Sequence, residues 1–293
     1  MSIGESGLPD AGLLAPAELR RRRRFSPTMI VGAVLVVLVL LAALVSFVWT
    51  PFDPTDVDAA VRLQGPSGAH WLGTDTLGRD VFSQLLVGAR TTLFVGVIAV
   101  GVGAIVGTPL GIAAAMTGRI TSELVRRVID LLLAFPALLL AVMFGAVYGA
   151  STLTAMLAIG IATAPAFARL ARAGTLPVMA SEYVLAARVA GRRGPAIAVW
   201  HVLPNIASVL IVQASVSYGI AVLAESGLSY LGFGTPPPTP SWGRMLQDAQ
   251  TLIFSDPLLS LWPAAAIALA VLGFNLLGDG LRDRFDPRLE QSR

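Results

Sequence analysis

Six runs of apolar residues, each close to the length of a bilayer crossing, constrain this chain more than any other feature. A helix needs about 20 residues to traverse a hydrocarbon core of about 30 Å. Residues 29–48, 92–114, 129–148, 153–170, 206–224 and 258–277 meet that need, the fourth being short and interrupted by Pro165. No ionisable residue stands near the middle of any run, and Arg169 only closes the fourth. A charge at the centre costs about 2.5–3.5 kcal/mol on insertion scales. The pattern therefore speaks against a proton-coupled pump. Composition agrees: of 293 residues, 55% are hydrophobic and 13% charged, where a soluble domain carries about a quarter charged residues. The sequence reads as an all-α integral membrane protein with six transmembrane helices.

Arginine placement sets the expected orientation. With a cytoplasmic N-terminus, the inside holds Arg20, Arg21, Arg22, Arg23, Arg24, Arg119, Arg126, Arg127, Arg169, Arg172, Arg188, Arg192, Arg193, Arg282, Arg284, Arg288 and Arg293. Only Arg62, Arg79, Arg90 and Arg244 fall outside. The positive-inside rule selects this arrangement and places both termini in the cytoplasm. It divides the chain into a cytoplasmic tail (1–28), a transmembrane domain (29–280) and a second cytoplasmic tail (281–293). Within the domain, 49–91 and 225–257 are external, and 171–205 is a cytoplasmic loop. The pI of about 9.9 follows from these arginines and does not call for nucleic acid. Arg22-Arg23-Arg24-Phe25 before an apolar run has the look of a twin-arginine export signal. A 20-residue run without a small-x-small cleavage site, followed by five more spans, reads instead as a topology anchor.

The residues present also exclude chemistry. All 21 basic residues are Arg and none is Lys, so there is no P-loop and no Schiff-base lysine. Without Cys there is no disulfide, thiolate nucleophile or cysteine metal site. His70 and His201 fall on opposite faces of the topology. The chain is not itself an enzyme, and its energy source is expected on another chain.

Small residues hint at packing. Gly103, Gly107 and Gly111 share one helix face in the second span, a pattern that lets two backbones approach. The close neighbour is a helix of the same chain or, alternatively, a second subunit. Pro109 and Pro136 are expected to kink their spans.

The cytoplasmic loop carries the most information. In Ser181-Glu182-Tyr183-Val184-Leu185-Ala186-Ala187-Arg188-Val189-Ala190-Gly191, Ser181 suits an N-cap, Glu182 the first turn and Gly191 a C-terminal stop. Pro195 is expected to start a second short helix that ends before Pro204. The Ala186-Ala187 pair permits close approach and Arg188 offers a fork of donors, which suits a docking knob better than an amphipathic loop resting on the membrane.

That segment resembles the loop of binding-protein-dependent ABC permeases, with its pattern E-A-A, three residues, G, nine residues, I-x-L-P. Here Ala186-Ala187 precedes Gly191 by the same interval, and nine residues lead to His201-Val202-Leu203-Pro204. Leu185 replaces the Glu and His201 the Ile, both as in the dipeptide, oligopeptide and nickel branch. Two external segments are similar to the same branch: His70-Trp71-Leu72-Gly73-Thr74-Asp75-Thr76-Leu77-Gly78-Arg79-Asp80, and Leu228-Ser229-Tyr230-Leu231-Gly232-Phe233-Gly234 with Pro240-Ser241-Trp242-Gly243. The tail from Asn275 to Asp286-Pro287-Arg288 is also similar. The closest likeness is to the "C" permease type.

The resemblance implies a type I ABC importer permease fold in the bacterial cytoplasmic membrane. It implies a "B"-type permease partner, two ATPase subunits that hold ATP and Mg²⁺, and an extracytoplasmic binding protein. Dipeptides or oligopeptides are the expected cargo, with nickel, glutathione or haem as alternatives within the class and an ion-coupled secondary transporter outside it. Glu182, Tyr183, Val184, Ala186, Ala187, Arg188, Gly191, His201, Leu203 and Pro204 are the implied ATPase-coupling residues. Gly73, Thr74, Asp75, Gly78, Arg79 and Asp80 form an external motif whose aspartates are expected to bond local N–H groups. A metal site at His70 and Asp75, or contact with the binding protein, are the alternatives there. Met143, Phe144, Gln213, Ser217 and Tyr218 are candidate pathway residues.

Overall fold

The computed structural model describes residues 26–285, and these are all-helical apart from turns, loops and one isolated bridge between Thr74 and Asp80. The tail 1–19, the arginine run 20–24, Phe25, Asp286, Pro287, Arg288 and Arg293 lie outside the described residues. Ten helices run in order: α1 Pro27–Val48, α2 Val81–Met116, α3 Arg119–Ala134, α4 Ala137–Tyr148, α5 Thr152–Met179, α6 Glu182–Val189, α7 Gly194–Ile197, α8 Leu203–Tyr230, α9 Trp242–Ala249 and α10 Leu258–Phe285. Five helical stretches are long and apolar enough to cross a membrane, six if the bent pair α3–α4 counts as one span.

Side-chain caps start four of the helices. Ser26 accepts from the Met29 N–H, Asp80 from Ser83, Ser151 from Thr154, and Ser241 from Arg244. Each satisfies one of the donors left open in a first turn.

The structure corrects three expectations. The third span is not one kinked helix: α3 and α4 meet at 84° across Phe135 and Pro136, where proline removes a helical donor. The fourth run, short by hydropathy, belongs to the 28-residue α5, which continues through Pro165 and Pro177 to Met179. The segment after Pro195 does not stop before Pro204. It passes through a π turn, Ala198–Val202, straight into α8. There the Leu203 N–H bonds to the Ala198 carbonyl five residues back. That wider turn accommodates Pro204, whose missing N–H forgoes one bond of the continuous helix.

The bundle centres on α2 and α5. Added Cβ atoms at Gly103, Gly107 and Gly111 would stand 2.3 Å from Thr163 Oγ1, 2.2 Å from Ala164 O and 2.1 Å from Ala168 O. The glycine face is therefore filled by α5 of the same chain. On the other side α1 packs on α10 just as closely, since a Cβ at Gly32 would meet Leu277 N at 2.5 Å. α8 lies between these pairs, and its Tyr218 ring stacks on Phe274 of α10 at 3.8 Å.

Candidate functional site

The two ends of the bundle carry different chemistry. At one end a small apolar cluster of Ile112, Ala171, Val184, Ile197, Val202 and Ile206 seats α6 and α7 against α2, α5 and α8. Val184 and Val202 are fully buried, so the short helix α6 is fixed by its inward face. Its outward face carries exposed Tyr183, Leu185 and Val189 around Glu182, with Val189 at 90%, and Trp200 in the neighbouring π turn is exposed as well. Ala186 and Arg188 are exposed beside them, and Ala187 is half-buried.

Backbone geometry at both ends of α6 follows from the sequence. Ser181 takes the N-cap position, but its hydroxyl donates to the Val178 carbonyl at 2.6 Å instead of capping. Glu182 stands in the first turn. At the other end Gly191 has φ +83°, a region open to glycine. Its N–H bonds to Arg188 O at 2.9 Å, and Arg192 N–H bonds to Ala187 O at 3.0 Å. These two bonds close a Schellman stop. His201 lies in the π turn with its ring 6.0 Å from that of Tyr183. Leu203 and Pro204 begin α8, and Asn205 Nδ2 donates to His201 O at 2.6 Å.

A polar crown occupies the opposite end, before α2 and around α9. Asp75 accepts from Leu77 N, Arg79 N, Arg79 Nε and Gln84 Nε2, at 2.7–3.0 Å. Arg79 reaches on to Asp248 of α9 at 3.1 Å, which also pairs with Arg244. Asp80 accepts from Ser83 N and Oγ with one oxygen, and its other oxygen lies 3.0 Å from His70 Nδ1. His70 in turn stacks on Phe52 at 4.5 Å. Thr74 is buried and its hydroxyl bonds the Val61 carbonyl. Gly78, at φ +81°, lies so close to Asp58 that a Cβ there would stand 1.8 Å from its carbonyl oxygen. The motif residues 73–80 thus form one bonded knot. Asp75 and His70 are engaged with separate partners, and no metal-holding group of three His, Cys, Asp or Glu occurs among the described residues.

The second signature locks the crown to the bundle. Trp242 Nε1 donates to Leu85 O, and Thr91 Oγ1 donates to Pro240 O, both at 3.0 Å. The sequence puts Glu225 just past the fifth run, in the external segment, whereas α8 extends through it to Tyr230. Glu225 is fully buried, accepting from Ser229 Oγ at 2.7 Å and Thr235 Oγ1 at 3.4 Å. Its place just past an apolar run reads as a helix boundary; the signal missed is Ser229, one turn on, on the same face.

The candidate pathway residues lie on α4 and α8. Gln213 donates to Ser217 at 3.0 Å, Ser217 is buried, and Tyr218 donates to Leu93 O at 2.9 Å. Met143 is exposed, and Phe144 rests beside Tyr148.

Residues 107–291 match the family described as "Binding-protein-dependent transport system inner membrane component". The chain belongs to that family. The permease is 41% identical to the dipeptide transport system permease protein DppC of Alkalihalophilus pseudofirmus, over 89% of this chain and 86% of that one. It is 40% identical to the glutathione transport system permease protein GsiD of Pectobacterium atrosepticum, over 92% and 90%. The probable D,D-dipeptide transport system permease protein DdpC of Escherichia coli is 38% identical over 90% and 88%. In fold the permease is similar to a chain of the MetNI methionine ABC transporter solved in inward-facing conformations. That match has a TM-score of 0.57 at 16% identity and covers 69% of this chain and 97% of that one. The protein is an inner-membrane ABC importer permease, and the ion-coupled alternative falls away.

Proposed function

We propose that this permease forms one half of the translocation pathway of an importer for short peptides, paired with a "B"-type permease. Two cytoplasmic ATPases would supply ATP hydrolysis with Mg²⁺, and an extracytoplasmic binding protein would deliver cargo to the crown. α6 is the docking element, with Tyr183, Ala186, Ala187 and Arg188 toward the ATPase and Val184 toward the bundle. The single observation that carries this reading is the build of α6: its inward face is seated, its end is fixed by Gly191, and its outward face, apolar apart from Glu182, is uncovered. Peptide cargo is supported by the names of three relatives, which transport dipeptides, D,D-dipeptides and glutathione. The arginine-rich end that bears α6 is the cytoplasmic one by the positive-inside rule.

Two substitutions test the docking role. Gly191→Asp forces a side chain into φ +83°, and Ala187→Glu places a carboxylate on the face that would approach the ATPase. Both are expected to abolish peptide uptake while the protein inserts at normal levels. Normal uptake by either variant, at normal abundance, would remove α6 from the coupling role.

A further inference from the structure

A second charged site, apart from α6 and the crown, lies between α3 and α5. It is a cavity of about 230 Å³ lined by Arg126, Ile129, Asp130, Arg169, Arg172 and Ala173. Arg169 and Arg172 stand one turn apart on α5, and Arg126 faces them from α3. Asp130 accepts from Arg126 Nη1 at 3.2 Å and from Arg169 Nη2 at 3.3 Å. Glu123 holds Arg126 and Arg127 from outside the lining. The lining thus holds three guanidinium groups and one carboxylate, which bonds two of them. Arg172 reaches Ser122 Oγ with Nη2 at 3.3 Å, while its buried Nε has no hydrogen-bond partner. A donor of that kind is costly to leave unmade.

Position along the membrane normal decides what fills the gap. Arg169 and Arg172 follow Thr152, the first residue of α5, by about 26–30 Å of helix rise. That matches the hydrocarbon thickness of about 30 Å, so with Thr152 at one boundary the pocket sits at the phosphate level of the other. On the pocket side of α3, one turn on from Asp130 and two from Arg126, Leu133 is exposed. Guanidinium groups at headgroup depth beside an apolar side chain match a molecule with an anionic phosphate and acyl chains.

We propose that the α3–α5 arginine pocket binds the phosphate of an anionic phospholipid, whose chains extend past Leu133. Basic pockets between membrane helices hold such headgroups, at roughly fivefold in affinity per arginine. The intact assembly, purified from its membrane, is delipidated stepwise, and bound phosphatidylglycerol and cardiolipin are counted by native mass spectrometry. Arg169→Gln with Arg172→Gln is expected to lower retention by about 25-fold. Arg127→Gln, outside the lining and 74% exposed, leaves it unchanged. Equal retention by the double variant overturns the proposal, as does release of the lipid by millimolar inorganic phosphate, which would mark a site for the free anion. A photo-crosslinker at Ala173 in the otherwise native chain covers the case of a variant that does not fold. Crosslinks to phospholipid support the site, and crosslinks to another protein subunit overturn it.

Discussion

Replacing Gly107 by alanine tests the central packing directly. The added methyl would stand 2.2 Å from Ala164 O and 2.8 Å from Phe167 Cβ, where ordinary contact begins at 3.4 Å. Both obstacles belong to a rigid helix, so no flexible side chain can swing aside. The α2–α5 seam must then open by roughly 1 Å at that turn, and overpacking of this kind costs about 1–3 kcal/mol. Gly101 lies on the same helix with nothing within 4 Å of its added Cβ. Alanine there is expected to gain about 0.5–1 kcal/mol from helix propensity. Thermal unfolding of the detergent-solubilised assembly, followed by tryptophan fluorescence, separates the two. Gly107→Ala should unfold about 2–12 °C below wild type and Gly101→Ala at or slightly above it. Equal midpoints for the two variants would refute a seam held by backbone contact.

Three further outcomes follow from the crown and the loop. Arg79→Ala leaves Asp75 and Asp248 without their shared cation, at a cost of about 3–5 kcal/mol for a pair this buried; faster hydrogen exchange across 61–80 and α9 reports it, and unchanged exchange contradicts it. Glu225→Leu removes the acceptor for Ser229 and Thr235, at about 1–3 kcal/mol. Limited proteolysis should then cut within 231–241, and protection equal to wild type would argue against the clamp. Val184→Ala removes two buried methyl groups and should loosen α6 by about 1–3 kcal/mol, seen as faster exchange in 182–190 with the crown unaffected; exchange at the wild-type rate would refute the seating.

Hydropathy located the spans because lipid exposure demands uninterrupted apolar runs, and α1 matches its run almost to the residue. It lost α5 after Leu170, since beyond that point the helix is amphipathic and its buried residues Ala171 and Thr175 are held by neighbours rather than lipid. Local chemistry was legible where a residue acts within its own turn. Gly191 ends α6, and Asp75 and Asp80 bond the backbone around them. It was not legible where partners are distant in the chain: nothing near Arg79 announces Asp248, 169 positions away. Glu225 was missed for a related reason. Its burial depends on the loop 231–241 folding back, which no single-helix pattern records.

The glycine seam has a mechanical consequence. Two helices whose backbones touch at three successive turns cannot slide or roll independently, so α2 and α5 behave as one stiff beam. The beam carries the crown at one end and the seat of α6 at the other. At about 54 Å of length for the 36 residues of α2, a tilt of about 5° at the α6 end displaces the far end by about 5 Å. Small rotations at one surface of the membrane are thereby multiplied at the other.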